Sequence, residues 1–324
     1  MHGAIPLKGI IVPLVTPLAD RDQLDVDGLQ RVIEHVLAGG VHGLFLLGTT
    51  GEAPSLSERL KRELIERACR QVGGRVPVLV GVTDTSFVDS LALARFAAEQ
   101  AAQGVVLAPP PYFPLHQADL AAYVREFAAE CRQPLYLYNM PSHSKVEYEP
   151  DTLRGLLDLP QLAGIKDSSG QMPYFHELLR LAADRTGLAV LMGPEELLAE
   201  AVLVGGHGGV CGGANLHPRL YVELYAAALC GDLNLVHKLQ HRVLRLSARL
   251  YSVGDPPSGY LTGLKCAMSC LGLCRDRLAE PLHALSDDRR AMIAQHLQDL
   301  GLTEPAAARS AVKVVRPTSR SVES

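Results

Sequence analysis

Lysine is scarce in this chain, with seven residues among 324. No apolar run reaches the length of about 20 residues that a membrane-spanning helix needs, and residues 1–8 lack the basic flank and long apolar core of a signal peptide. The seven cysteines are odd in number and scattered, which does not suit a disulfide framework. We therefore expect a cytoplasmic protein that neither crosses nor binds a membrane.

The charged residues also exclude a class of partner. There are 31 basic and 35 acidic residues, a net charge of −4, and no basic stripe is interleaved with aromatic residues. Such a stripe is typical of nucleic-acid binding, so no nucleic acid is expected as a partner. Hydrophobic residues make up 48% of the chain and charged residues 20%, which is enough apolar material for a substantial globular core.

Eight short apolar runs alternate with longer segments whose apolar residues recur every three or four positions. Continuous apolar strands that alternate with helices indicate a parallel sheet buried on both faces. The count of eight favours a closed (β/α)₈ TIM barrel over an open, doubly wound sheet, which the pattern alone also allows. The predicted strands are Gly9–Val15, Gly43–Leu47, Pro77–Gly81, Val105–Ala108, Pro134–Tyr138, Ala163–Lys166, Ala189–Met192 and Gly208–Cys211.

The pattern divides the chain into three parts. Residues 1–230 are predicted to form the barrel, and residues 231–302 a C-terminal helical extension packed on it. No linker separates these two parts, so the extension is not expected to be an independent domain. Residues 303–324 are rich in Ala, Ser, Arg and Pro and are expected to form a mobile tail.

Barrel enzymes carry their chemistry at the C-terminal ends of the strands. The second run ends in Gly-Thr-Thr-Gly-Glu at residues 48–52. Gly48 lets the backbone approach a ligand closely, and Thr49 and Thr50 add hydroxyl and backbone N–H groups. Such a turn suits a small carboxylate, although an ordinary strand-to-helix turn is an equal alternative.

Lys166 is the one lysine predicted at the C-terminal end of a barrel strand. Desolvation there would disfavour the ammonium form, and a free amine is the form that attacks a ketone. The alternative is a lysine that is ion-paired with Asp167 or Glu52. Tyr138 ends the fifth run, where its hydroxyl could transfer protons, although packing in the core is the commoner role of a strand tyrosine.

Other candidates carry weaker signals. Prolines stiffen the loop 108–114 and would hold Tyr112 in place, either for function or as part of a structural loop. The glycine-rich eighth run indicates close approach of the backbone to a ligand or to a neighbouring segment, and it is not a nucleotide-binding motif. The cysteines at 266, 270 and 274 favour a buried helix face over a metal site, so no metal ligands are predicted.

Three motifs in this order resemble the dihydrodipicolinate synthase / N-acetylneuraminate lyase family of class I, Schiff-base-forming aldolases. They are Gly-Thr-Thr-Gly-Glu at 48–52, Tyr-Asn with a following proline at 138–141, and Gly-Ile-Lys-Asp at 164–167. The resemblance extends over about residues 5–300. It implies a barrel lyase that works on pyruvate or another 2-oxo acid together with an aldehyde, without a cofactor.

The resemblance also implies a role for each matching residue. Lys166 would form the imine, Tyr138 would donate and accept protons, and Thr49 would relay them. Thr50 would bind the pyruvate carboxylate, and Val210 resembles a position whose backbone lines the pyruvate pocket. Tyr112 would act in a neighbouring subunit's site, which implies a homo-oligomer, commonly a tetramer built as a dimer of dimers.

One position departs from the pattern of lysine-pathway synthases. An arginine normally holds the carboxylate of the incoming substrate, and His143 stands there instead. A neutral imidazole is a poorer carboxylate clamp than a bidentate guanidinium. The Asn-Pro-Ile-Pro-Val-Lys run of those synthases is also altered, to residues 255–260. Both changes favour an aldolase for a sugar acid or related oxo acid over 4-hydroxy-tetrahydrodipicolinate synthase. A non-catalytic, ligand-sensing barrel is a more distant alternative.

Overall fold

The structure, a computed structural model, describes residues 7–302. The tail expected at 303–324 therefore lies outside the described residues. Eight parallel strands close into a barrel. They are β1 (Gly9–Pro13), β4 (Gly43–Leu46), β5 (Val78–Gly81), β6 (Gly104–Leu107), β7 (Leu135–Asn139), β8 (Leu162–Asp167), β9 (Ala189–Met192) and β10 (Gly208–Val210). Around the barrel they follow the order β1-β10-β9-β8-β7-β6-β5-β4. The predicted TIM-barrel fold is confirmed.

Helices surround the barrel and bury its outer face. They are α1 (Val26–Ala38), α2 (Glu58–Val72), α3 (Phe87–Glu99), α4 (Gln117–Glu130), α5 (Pro141–Ser144), α6 (Pro150–Leu156), α7 (Met172–Ala183), α8 (Leu198–Leu203) and α9 (Pro218–Leu229). Three more helices follow as the predicted C-terminal extension: α10 (Leu233–Leu250), α11 (Gly259–Cys270) and α12 (Asp287–Asp299). Within residues 7–302, none of these helices has both the length and the apolar character of a membrane span.

The sequence pattern did not predict a small antiparallel hairpin that follows the first barrel strand. It consists of β2 (Leu18–Asp20) and β3 (Gln23–Leu24). The strands are too short for a repeating apolar pattern to mark them.

Two apolar cores fill the fold. The larger lies between the barrel and its helices. The smaller lies inside the barrel and includes Ile11, Phe45, Leu79, Tyr136 and Tyr138. Side chains thus fill the barrel interior, as is usual for this fold, and leave the C-terminal mouth as the place for chemistry.

The glycine-rich strand β10 owes its composition to a close neighbour. A Cβ placed on Gly208 would lie 2.0 Å from the Gly9 carbonyl oxygen of β1, and Gly208 has a φ of +148°. Both features exclude a side chain there. Of the two explanations left open by the sequence, close approach to a neighbouring segment applies at this glycine.

Near the start of two barrel strands, a histidine ring nitrogen accepts a hydrogen bond from a backbone N–H, in place of the usual backbone carbonyl. His42 Nδ1 accepts the Ile10 N–H at 3.1 Å, and His207 Nδ1 accepts the Val190 N–H at 3.1 Å. Protonation of Nδ1 would break these bonds. Burial lowers the pKa of both rings, and the charge of Lys8 lowers that of His207 further. A histidine with a lowered pKa in the folded state stabilises the fold above its unfolded pKa of about 6.5.

We therefore expect these two histidines to lower the free energy of unfolding as the pH drops below about 6.5, where each binds a proton more readily in the unfolded chain than in the folded one. Urea unfolding at pH 7.5 and pH 5.5 measures this loss. The double variant His42→Gln/His207→Gln, in which an amide oxygen can accept the same N–H groups, should lose less stability over this interval. An equal loss in both proteins would contradict the assignment.

Candidate active site

Lys166 lies at the C-terminal end of β8 and is 7% exposed. Its backbone is in register with Tyr138 of β7, so the two side chains emerge side by side from neighbouring strands. The Lys166 Nζ lies 3.8 Å from the centre of the Tyr138 ring and 5.3 Å from that of Phe45. The amine is thus enclosed by aromatic faces at the barrel mouth.

Neither carboxylate considered as a partner of Lys166 pairs with it. Asp167 accepts hydrogen bonds from Asn139 Nδ2 at 2.9 Å and from Ser169. Glu52 pairs with Lys265 instead, at 2.6 Å. Within residues 7–302, no carboxylate lies within ion-pair distance of Lys166, so the expected alternative of an ion-paired lysine is wrong.

Tyr138 is buried beside Lys166, and its hydroxyl lies 3.4 Å from Thr49 Oγ1. Burial raises the pKa of the phenol. The charge of Lys166 and hydrogen bonds with Thr49, Ser168 and Lys166 outweigh burial, so the pKa lies below its usual value of 10. A phenol with a lowered pKa, held next to an amine, is a group that can exchange a proton with a bound substrate.

Thr49 and Thr50 are the central residues of a tight turn that the Gly51 N–H closes onto the Gly48 carbonyl at 3.0 Å. The N–H groups of these central residues are not used by the turn. A Cβ on Gly48 would lie 2.7 Å from the Phe45 ring, so glycine is required there. The turn therefore brings two hydroxyls and two N–H groups to the barrel mouth.

Val210 and Lys166 line the same small cavity inside the barrel, together with Phe45 and Tyr136. Val210 is the last residue of β10 and is 5% exposed. Five of the predicted site residues thus lie together at the mouth: Lys166, Tyr138, Thr49, Thr50 and Val210. Gly48 shapes the turn beneath them.

His143 lies in the short helix α5, directly after β7, and is exposed. Its Nδ1 is 2.9 Å from the Ser142 hydroxyl. Desolvation by the surrounding chain, and then the charges of Lys145 and Lys166, lower the pKa of the ring. The imidazole is thus predominantly neutral at pH 7. The electrostatic effect of Lys166 on its pKa shows that His143 lies near the amine.

Tyr112 is the predicted site residue that this chain does not bring to Lys166. Its side chain is 85% exposed, and the ring packs edge-on against Phe113 with centroids 4.9 Å apart. Its φ of +86° is a strained conformation for a residue other than glycine. The loop therefore leaves both aromatic rings exposed to solvent.

Two further residues lie at the mouth beside the predicted ones. The hydroxyl of Tyr260, from helix α11, lies 3.1 Å from Thr50 Oγ1. Glu195 follows β9, is 5% exposed and accepts hydrogen bonds from Tyr221, Tyr251 and the Gly213 N–H. Burial raises the pKa of Glu195 to about 7. Glu195 was missed from the sequence, although its place shortly after a barrel strand was a usable signal, whereas Tyr260 ends the altered run 255–260 that the sequence had already marked.

The ion pair between Glu52 and Lys265 fastens helix α11 to the threonine turn. Both side chains are 1% exposed, and Glu52 also accepts the Ala279 N–H at 2.6 Å. Breaking a buried pair by removing one partner typically costs about 3–5 kcal/mol, because the other charge stays buried without compensation.

We expect Lys265→Met to lower the free energy of unfolding by about 3–5 kcal/mol, as measured by urea unfolding. The double variant Glu52→Gln/Lys265→Met should recover part of this loss, since it removes the buried charge and keeps an acceptor for Ala279. A single variant that loses less than about 1 kcal/mol would show that the pair does not hold the extension in place.

No group of three or more His, Cys, Asp or Glu side chains in the described part of the chain is arranged to hold a metal ion. The chemistry open to the site is that of an enclosed amine, a phenol and two hydroxyls. An eight-stranded parallel barrel that carries these groups at its C-terminal mouth has the architecture of a barrel lyase.

The model of the dihydrodipicolinate synthetase family matches residues 6–300, and the chain belongs to this family of lyases. It is 36% identical over 296 residues to an uncharacterised DapA-like lyase of Halobacterium salinarum, covering 91% of this chain and 95% of that protein. Dihydrodipicolinate synthase from Bacteroides thetaiotaomicron has a similar structure, with 50% identity, a TM-score of 0.89, and coverage of 91% and 99%.

A third similar protein was solved with a ligand. It is a prophage protein of the dihydrodipicolinic acid synthase family from E. coli K12 in complex with pyruvate. It is 28% identical, with a TM-score of 0.86 and coverage of 91% of this chain and 99% of that one. The family resemblance predicted from the three motifs is confirmed.

Proposed function

We propose that this lyase is a pyruvate-dependent class I aldolase that forms an imine at Lys166 and acts on a sugar acid or a related oxo acid. The observation that carries the proposal is the enclosed Lys166 amine, which has no carboxylate partner among residues 7–302 and lies against the Tyr138 ring. An amine without an ion-pair partner is more readily available as a nucleophile.

In the proposed mechanism, the neutral amine adds to the ketone carbon of the 2-oxo acid, and water leaves to give the imine. In the cleavage direction, the bond between C3 and C4 breaks, and its electron pair moves into the imine to form an enamine. The C4 hydroxyl gives up its proton and becomes an aldehyde. Tyr138 takes that proton with the help of Thr49, and returns one to C3 of the enamine before hydrolysis releases pyruvate.

We propose that the carboxylate of the 2-oxo acid binds at the threonine turn. Consecutive backbone N–H groups in a tight turn form an anion-binding concavity, and the Thr50 hydroxyl adds a further donor. Val210 would line the opposite side of the pocket. The pyruvate bound to the similar E. coli protein supports a 2-oxo acid as the ligand of this site.

The second substrate is inferred from His143. A largely neutral imidazole offers at most one hydrogen bond in a place where a guanidinium would bind a carboxylate with two. The aldehyde half of a cleaved sugar acid carries hydroxyls and no carboxylate, so it does not require the missing charge. Aspartate semialdehyde does carry a carboxylate, and therefore fits this mouth less well.

A second candidate is 4-hydroxy-tetrahydrodipicolinate synthase. The 50% identity to a protein named dihydrodipicolinate synthase favours it. Both candidates share the imine at Lys166 and differ only in the acceptor.

A comparison of acceptors separates the two candidates. With pyruvate held constant, we expect a neutral hydroxyaldehyde such as glyceraldehyde to be turned over with a kcat/KM at least about tenfold above that for aspartate semialdehyde, which corresponds to about 1.4 kcal/mol. Pyruvate consumption measures both rates. A preference for aspartate semialdehyde would favour the synthase and overturn the sugar-acid proposal.

We also propose that the enzyme is a homo-oligomer, a tetramer built as a dimer of dimers, in which Tyr112 enters the site of a neighbouring subunit. The strained, exposed conformation of Tyr112 and its exposed partner Phe113 support this. An aromatic pair that is exposed to solvent is suited to pack against another surface.

A further inference from the structure

The two neighbouring threonines of the turn each contact a tyrosine, and only one of these tyrosines belongs to the barrel. Thr49 Oγ1 lies 3.4 Å from the hydroxyl of Tyr138. Thr50 Oγ1 lies 3.1 Å from the hydroxyl of Tyr260, in the first turn of helix α11. The helical extension thus contributes a side chain directly to the turn that is proposed to bind the carboxylate.

The Tyr260 ring is held firmly in this position. It packs edge-on against Tyr251, with centroids 5.9 Å apart and planes at 78°. The Tyr251 hydroxyl donates to the buried Glu195 carboxylate at 2.8 Å. Because this contact is made by the ring, it does not depend on the Tyr260 hydroxyl.

Polar groups surround the space next to the Thr50 and Tyr260 hydroxyls. A Cβ on Gly212 would lie 3.8 Å from Thr50 Oγ1, 3.9 Å from the Tyr260 ring and 3.9 Å from the Glu195 carboxylate. Glycine at this position therefore leaves a space of about the size of a methyl group beside the Thr50 and Tyr260 hydroxyls. The Glu195 oxygens are already occupied by Tyr221, Tyr251 and the Gly213 N–H, so Glu195 shapes this wall without needing the ligand as a partner.

We propose that Tyr260 is a positioning residue that donates its phenolic hydrogen to Thr50 and so orients the Thr50 hydroxyl toward the carboxylate of the 2-oxo acid. This inference rests on the proposed function above. A carboxylate only accepts hydrogen bonds, so Thr50 must donate its single hydrogen to it. The Thr50 oxygen is then free to accept from Tyr260, and each bond in such a chain strengthens the next.

The protonation state of Tyr260 fits this role. Burial raises its pKa, and the phenols and carboxylates around it, Tyr138, Glu195 and Glu52, raise it further, while the bond with Thr50 acts in the opposite direction. The phenol therefore keeps its hydrogen throughout the neutral pH range and remains a donor. Tyr138 has the opposite shift, so the two tyrosines of the mouth are suited to different tasks.

The test is the variant Tyr260→Phe, which keeps the packing on Tyr251 and removes only the hydroxyl. We measure labelling of Lys166 by borohydride over a range of pyruvate concentrations, and expect half-maximal labelling to need about 5- to 30-fold more pyruvate than in the unmodified protein, the effect of one hydrogen bond. The kcat at saturating pyruvate should change less than twofold. Tyr225→Phe, which removes a phenol hydroxyl on α9 beside His42, is the matched control and should behave as the unmodified protein.

Acetone, a ketone without a carboxylate, separates positioning from general distortion of the site. At each acetone concentration, the fraction of Lys166 that is labelled should be the same in Tyr260→Phe as in the unmodified protein. In the background of Thr50→Val, the Tyr260 substitution should have little further effect on the pyruvate concentration needed, since the two hydroxyls act as one unit.

An unchanged pyruvate requirement in Tyr260→Phe would overturn the inference. So would an equal loss of labelling with pyruvate and with acetone, or full additivity with Thr50→Val. These outcomes differ from a failure of the proposed function, in which pyruvate does not label Lys166 even in the unmodified protein.

Discussion

Lys166→Arg should lower the rate of sugar-acid cleavage by a factor on the order of 10⁴–10⁶, because Lys166 is the proposed covalent nucleophile. Arginine keeps a positive charge next to Tyr138, but a guanidinium is not deprotonated in proteins and does not form an imine with a ketone. The loss can therefore be assigned to the missing amine rather than to a change in charge. Pyruvate release from a cleaved sugar acid gives the rate.

The matched control is Lys145→Arg, the same substitution at an exposed lysine of the segment after β7. Its turnover should stay within about twofold of the unmodified protein, since exposed substitutions away from the reacting groups have small effects. If Lys166→Arg kept more than about a tenth of the original kcat, a covalent role for this lysine would be excluded.

Tyr138→Phe should lower kcat by about 10²–10⁴, the usual contribution of a positioned acid–base group. The ring that covers the Lys166 amine remains, so pyruvate should still label Lys166, at a slower rate and with a similar half-saturating concentration. Proton transfer during carbon–carbon cleavage is then the step that is lost. Stopped-flow or quenched single-turnover measurements separate that step from imine formation.

Tyr136→Phe is the control for this variant, because Tyr136 lies two residues earlier on β7 and also lines the barrel interior. Burial raises the pKa of Tyr136 to about 12, which makes it a poor proton donor or acceptor near pH 7. The two variants should therefore differ by at least about 10²-fold in kcat. Equal losses would indicate that Tyr138 serves only to pack the core.

The sequence predicted the architecture because strands in a closed parallel sheet are buried on both faces and read as continuous apolar runs. The bounds of two strands, Gly104–Leu107 and Gly208–Val210, differ by at most one residue from those of the apolar runs that predicted them. Lys166 and Tyr138 were singled out for the same reason, since a polar side chain that ends such a run must emerge at the barrel mouth. Pairing in the parallel sheet then brought these two residues together.

Contacts between distant parts of the chain were not predictable in this way. Lys265 gave no sign of its buried pairing with Glu52, 213 positions away, and the contact of Tyr260 with Thr50 spans 210 positions. Helix periodicity places a residue on one face of a helix but does not say which loop that face will meet. Such partners depend on how the extension packs, which is a property of the folded chain.

The most direct test of the central claim is to incubate the unmodified protein with pyruvate, reduce it with borohydride and map the modified peptide by mass spectrometry. We predict one adduct per chain, with the mass of one reduced pyruvate, on the lysine of the peptide that contains residues 162–167. An adduct on a different lysine, or an unmodified chain after prolonged incubation, would contradict imine formation at Lys166.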